Sequence, residues 1–220
     1  MTQKPDVIRA EVLAAILRGD YGDQIPREQD LADAFEVSRG TARAAVHHLQ
    51  AHDIVAVTHG RPGAAVRPPR EWSLFDASLL ATVLDGPGGN DVLGETLECR
   101  LLVAPEAAAL AAERATATEL DEIAAHLDAV RSSGKAARPG SRPSPELEFH
   151  RAVVEASHNR FLARVAVALE SALAGRLKPP TDAVAHQERI LDALTARDSG
   201  EAREAMRARL VALAPRRRRR

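Results

Sequence analysis

Two sets of residues have types and spacings suited to chemistry. In the stretch 37–49, Arg39 and Arg43 lie four apart, one turn above the other on a helix, and Ser38 precedes them. The serine hydroxyl can accept one of the orphan amide N–H groups at a helix start. Two stacked guanidinium groups then sit beside free amides that favour phosphate, and arginine is the side chain that forks onto guanine O6 and N7 in the major groove. Ala42, Ala45, Val46 and Leu49 recur on a separate stripe that can face a core, leaving Arg39, Thr41, Arg43 and His47 free. This reads as a DNA recognition helix, although an ordinary amphipathic helix with a solvated basic face has the same pattern. In the second set, Glu146 and His150 are four apart on one helix face. Carboxylate and imidazole at that spacing can chelate a divalent cation. A surface ion pair or a satisfied core histidine would use the same residues.

The surrounding elements decide what these residues can reach. An apolar stripe of Ile8, Val12, Ala15 and Ile16 predicts a helix over 6–17, stopped by the glycine-containing turn 18–23. Ile25 and Pro26 open a second helix over 28–35, with Arg27 at its start as a further basic candidate, and Glu36 and Val37 connect it tightly to the capped helix. Helix, short turn and capped helix make a helix-turn-helix. Two β-rich runs, 54–58 and 64–67, follow as a hairpin. Its tip, His59, Gly60 and Arg61, would be a wing able to reach the minor groove or the sugar–phosphate backbone. Residues 68–71 read as a stiff, extended linker, and Trp72 as a core or domain-contact anchor. Beyond it the pattern is helical. Helices are expected over 77–84, over 90–116 with a kink at Pro105, and over 118–130 with Thr118 as cap. Others are expected from Pro145 after the Ser144 cap, from Asn159 to about 177, from 179 to about 197, and over 201–214.

Composition narrows the function classes. The chain has 220 residues, enough for two modest domains, and 45% apolar content supports a real core. Aromatics at 3% and abundant alanine favour closely packed helices over a β-sandwich. With 30 basic against 31 acidic side chains, nucleic-acid contact must come from a local patch. Cys99 is the only cysteine, so no disulfide framework or thiolate metal cage forms within the chain. The polar start and the lack of a run near the ~20 apolar residues needed to span a bilayer lead us to expect a cytoplasmic protein without a membrane partner. Arg216–Arg220 reads as a solvated basic tail that could add salt-sensitive phosphate attraction.

The order Arg18-Gly19, Ile25-Pro26, Glu28, Leu31-Ala32, Val37-Ser38-Arg39, Thr41, Arg43, Ala45 and Leu49, followed by His59-Gly60, resembles the GntR family of bacterial transcription regulators. The resemblance implies operator contacts from Ser38, Arg39, Thr41, Arg43 and Gly60. Gln29 stands where some members carry a DNA-contacting arginine, and Gly40 where others carry Thr or Pro, so base preference differs. Further on, Arg100, Val103, Pro105-Glu106-Ala107-Ala108 and Leu110, then Glu146, Phe149-His150 and Ala156-Ser157-x-Asn159, are similar to the FCD ligand-sensing domain of the FadR-like branch. Ile190-Leu191-x-Ala193-Leu194 and Ala205-Met206 extend that similarity, and the linker and the Arg100 run look like those of sugar-acid regulators. Many such domains hold zinc or a similar metal through an Asp, a His four residues on, and two later histidines. Glu146 and His150 match the first two; Gln187 stands at the third, with His186 one residue off, and Arg209 at the fourth, where guanidinium cannot ligate. The resemblance therefore implies a degraded metal site at Glu146 and His150. No cofactor is expected beyond residual Zn or Ni, and Arg209, with Arg100, would bind an anionic effector directly. Glu146 would pair with Arg209 when that site is empty.

The expected fold is mainly α: a winged helix-turn-helix over 1–67, a linker over 68–76, an all-α effector-binding and dimerisation bundle over 77–215, and a basic tail over 216–220. The expected function is a non-enzymatic, homodimeric regulator of transcription, a repressor of palindromic operator DNA controlled by a small carboxylate such as a sugar acid. The DNA-binding candidates are Arg27, Ser38, Arg39, Gly40, Thr41, Arg43, His47, His59, Gly60 and Arg61. Those for the effector are Arg100, Glu146, His150, Gln187 and Arg209. A small metal-dependent hydrolase with a DNA-targeting module, or a ligand-independent DNA binder, are the competing classes.

Overall fold

A computed structural model describes residues 5–57, 63–132, 144–177 and 182–213. The chain forms two compact units, 1–93 and 94–220. His59, Gly60 and Arg61 of the expected wing tip and the tail Arg216–Arg220 lie outside the described residues.

The first unit begins with α1 (Pro5–Arg18), strand β1 (Gln24–Ile25), α2 (Glu28–Ala34) and α3 (Arg39–Ala51). Ile8, Val12, Leu13 and Ile16 of α1, Leu31 and Ala32 of α2, and Ala42, Ala45, Val46 and Leu49 of α3 share one core. Strands β2 (Val55–Val57) and β3 (Ala64–Val66) form the expected hairpin. The sequence does not signal β1, which adds a third antiparallel strand in the order β1-β3-β2 by pairing Gln24 with Ala65 and Ile25 with Ala64. Two residues are too few to show alternation. Gly63 makes this pairing possible: its φ is +80°, and an added Cβ would lie 2.1 Å from the Ile25 carbonyl oxygen.

The segment 68–76 is not an extended spacer. Pro69–Glu71 make a 3-10 turn. Arg67 pairs with both Asp53 and Glu71 at 3.0 Å. The Trp72 indole N–H donates to the Arg67 carbonyl at 2.8 Å, and the ring packs on the first unit's core. Helix α4 (Ala77–Asp85) also corrects the expected boundary at 77. Leu79 and Val83 bury in the core shared with α1, and the Arg9 guanidinium donates to Ser78 Oγ at 2.6 Å. Amphipathicity shows that α4 must bury a face; it does not say against which neighbour.

Among the described residues, the second unit is built from α5 (Gly89–Arg114, whose first turn belongs to the first unit), α6 (Ala117–Ser132), α7 (Pro145–Glu155), α8 (Arg160–Leu173), α9 (Ala183–Thr195) and α10 (Ser199–Leu213). Pro105 lies inside the unbroken α5. Thr116 rather than Thr118 starts α6: its N–H donates to Glu119 Oε2 at 2.7 Å, and the Glu119 N–H donates to Thr116 Oγ1 at 3.2 Å, a capping box. Ala104, Ala108, Ala111 and Ala112 of α5, with Ala115 just beyond its end, share one core with Phe149, Val153, Ile190, Leu194 and Met206. The small residues let helix backbones approach closely.

Gly63→Ala should lower stability by about 2 kcal/mol or more in chemical denaturation, because positive φ and a rigid carbonyl both oppose the methyl. Gly40→Ala is the control. Its Cβ would meet only Ser38 Oγ at 3.7 Å, so stability should stay within about 0.5 kcal/mol.

Candidate nucleic-acid interface and effector site

Ser38 caps α3 as its position predicts. Its Oγ accepts the Thr41 N–H at 3.0 Å and lies 2.8 Å from Thr41 Oγ1. Arg39 and Arg43 are 70% and 64% exposed on the first two turns. The sequence reading missed their common neighbour. Glu28, in the first turn of α2, places one carboxylate oxygen 3.9 Å from Arg39 Nε and the other 3.8 Å from Arg43 Nε. These are ion-pair distances too long for hydrogen bonds, so the arginines are held loosely and their terminal nitrogens keep their donors. Gly40 and His47 are exposed beside them. Arg27 is exposed at the start of α2 and lines, with Gln29, Arg39 and Val57, a groove of about 450 Å³.

In the second unit, α5, α7, α8 and α10 bring Arg100, Glu146, His150, Glu170 and Arg209 within electrostatic reach of one another, and Gln187 of α9 is fully buried. Arg209 is 1% exposed and donates to Glu146 Oε1 at 2.5 Å. Arg100 donates to Glu170 Oε1 at 2.9 Å, with both side chains buried. Several other polar atoms here have no partner. Both nitrogens of His150, both amide atoms of Gln187, Nε and one terminal nitrogen of Arg209, Nε of Arg100 and Oε2 of Glu170 are buried without a hydrogen-bond partner. Each such atom costs ~1–3 kcal/mol if nothing meets it.

The electrostatics follow from burial. Desolvation, then the Arg209 and Arg100 charges, hold His150 well below the ordinary imidazole value, so the ring is neutral. Desolvation pushes Glu170 above the usual carboxylate range, despite Arg100 beside it. Desolvation brings Arg209 down to about 10, opposed chiefly by Glu146. A divalent metal does not fit this site. Glu146 is engaged by a guanidinium, two cationic groups bear on His150, and His186 turns to Asp182 at 3.5 Å. Glu170 is the member the sequence reading missed. Its signal is a carboxylate in the buried phase of α8, in step with Ala166 and Leu173.

The geometry defines a class: a winged helix-turn-helix with a cationic reading helix, joined to an all-helical unit with a charged interior. The profile of bacterial regulatory proteins of the gntR family matches residues 5–64, and that of the FCD domain matches residues 95–212. The galactonate operon transcriptional repressor of Escherichia coli K12 is 29% identical over 170 residues, covering 76% of this chain and 73% of its own. The HTH-type transcriptional regulator Rv0494 of Mycobacterium tuberculosis is 31% identical over 191 residues, 86% of this chain and 76% of its own. A solved Streptococcus agalactiae GntR structure superposes with a TM-score of 0.52 at 22% identity, covering 94% of this chain and 97% of that one. The chain belongs to the gntR family of bacterial transcription regulators, with an FCD domain as its second half. None of its described helices is long and apolar enough to cross a membrane.

Arg100→Met should destabilise the protein by about 3 kcal/mol in urea unfolding, because Glu170 is left buried and unpaired. Adding Glu170→Leu should recover most of that loss. If the double variant were no better than the single one, the cost would lie in packing and not in the stranded charge.

Proposed function

We propose that this regulator represses transcription as a homodimer on a palindromic operator, and that a small organic carboxylate, bound without a metal, controls it. The buried, unpartnered donors of Arg209 and Arg100 carry this reading: an anion would supply the acceptors they lack, and a further cation would not. The effector's carboxylate accepts from Arg209 and displaces Glu146. Gln187 and neutral His150 meet its hydroxyl groups. An aldonic acid suits this donor set, and one relative is a galactonate operon repressor.

The displacement supplies the differential contact that any ligand-driven shift requires. Glu146 ties the first turn of α7 to α10. In the bound state the ligand takes that guanidinium and α7 is released. Homodimerisation is supported by the exposed Leu102 and Phe161, 72% and 77% accessible on α5 and α8. Two-fold symmetry would place two α3 helices in successive major grooves. The protein acts as a binding switch and not as an enzyme. Engagement of Glu146 by Arg209 removes the carboxylate that a hydrolytic metal pair would need.

Operator selection with purified protein, repeated with a panel of sugar acids, tests the reading. Arg39→Ala with Arg43→Ala should weaken capture of the selected operator by about 100-fold or more while circular dichroism stays unchanged, since two base-directed forks are lost. Arg209→Met should abolish the thermal shift given by the active acid and, because it releases α7 as the acid does, make operator binding the same with and without the acid. Chelator should leave the shift unchanged in the wild type. An acid response that needs added zinc would sink the metal-free reading.

A further inference from the structure

A second cluster lies in the first unit, away from the charged bundle interior. His48, in the last turn of α3, and His52, which caps its C-terminus, are one turn apart, with rings stacked at 4.7 Å between centroids and 20° between planes. Asp76 caps α4: its Oδ1 accepts the N–H groups of Ser78 and Leu79 at 2.9 and 3.0 Å. Its other oxygen, Oδ2, lies 4.0 Å from His48 Nε2. One ligating atom from each of the three residues falls within 4.8 Å of the others. Among the described residues, this is the group of three His, Cys, Asp or Glu side chains that converges in this way.

The geometry points to a divalent transition-metal site, of the zinc class, formed by His48, His52 and Asp76. Four observations carry it. The 4.0 Å gap is too long for a hydrogen bond. It is close to the ~3.4 Å separation of two ligands on one tetrahedral ion with bonds of ~2.0–2.2 Å, so small side-chain rotations would close it. His48 Nε2 makes no hydrogen bond to the Asp76 oxygen 4.0 Å away, so its lone pair is open to an ion between them; the buried, unpartnered Nδ1 is not served by that ion. His52 Nδ1 lies 3.1 Å from the Ser73 carbonyl oxygen. Donation there fixes the proton on Nδ1 and leaves Nε2 as the basic nitrogen, the outer-shell arrangement typical of metal-binding histidine. The side chains of His48 and Asp76 are 34% and 30% exposed, so an ion can enter and keep a water as fourth ligand. Arg9 is the nearby opposing charge; it is engaged by Asp6 at 3.3 Å and by Ser78.

Two histidines and one carboxylate, with nitrogen and oxygen donors, suit Zn, Ni or Co over Mg or Ca. The ion would pin the end of the reading helix to the segment that follows the wing. It would also rigidify the joint that the Ser73 N–H donation to the His52 carbonyl at 2.9 Å already makes.

Untagged full-length protein, stripped with chelator, is titrated with Co(II). One equivalent should bind with a visible absorption band that Zn(II) displaces, and zinc should raise the melting temperature until chelator is added. His48→Gln with His52→Gln should lose the band. Asp76→Asn, which keeps a good helix cap, should weaken affinity at least tenfold. His150→Gln should leave the band unchanged. The assignment is overturned if no saturable cobalt binding occurs up to about 1 mM, if the band survives the double histidine variant, or if His150→Gln alone removes it.

Discussion

The ion pair between Arg209 and Glu146 joins a guanidinium removed from water to a carboxylate that stays partly in contact with it. The geometry of the FCD unit follows from that asymmetry. A buried arginine without an anion would cost several kcal/mol, so α7 must present its first turn to α10. The Arg100–Glu170 pair imposes the same demand between α5 and α8. The alanine-rich face of α5 allows helix backbones to come close enough for these side chains to meet. Charge and packing are therefore one constraint. The bundle closes around two pairs that leave buried donors without partners.

The first unit is held differently. Its core is apolar, and the residues after the wing are folded onto it by named bonds: Trp72 to the Arg67 carbonyl, Ser73 to His52, and Ser78 to Arg9. The reading helix is thus packed by α1 and α2 and also by the chain that leaves the wing. A segment expected from its prolines to be a stiff, extended linker is part of the platform on which the helix bearing Arg39 and Arg43 is packed.

Periodicity and caps make most of this architecture readable from the amino acids. Ile8, Val12 and Ile16, and Ala42, Ala45, Val46 and Leu49, occupy the buried faces that their spacing dictates, and Ser38, Ser144 and Asn159 cap where their side chains suggest. What escapes the sequence is whatever depends on a partner distant in the chain. Strand β1 exists because Gly63 lets Ala64 reach Ile25. Helix α4 belongs to the first unit because its Leu79 finds α1. Glu170 is a carboxylate in an apolar phase, and only its convergence with Arg100 from another helix shows why it is tolerated. The convergence of Arg209 on Glu146 is suggested by family alignment, whereas that of His48 and His52 on Asp76 requires coordinates.

Glu28 has a consequence for how this protein moves along a chromosome. Sitting between Arg39 and Arg43, it is a built-in competitor for the groups that would grip any phosphodiester. If Arg39 and Arg43 contact DNA as proposed, random duplex must outbid Glu28 without the reward of matched bases, whereas a matched site repays the exchange through its base edges. A carboxylate that subtracts from raw adhesion thereby widens the gap between searching and stopping.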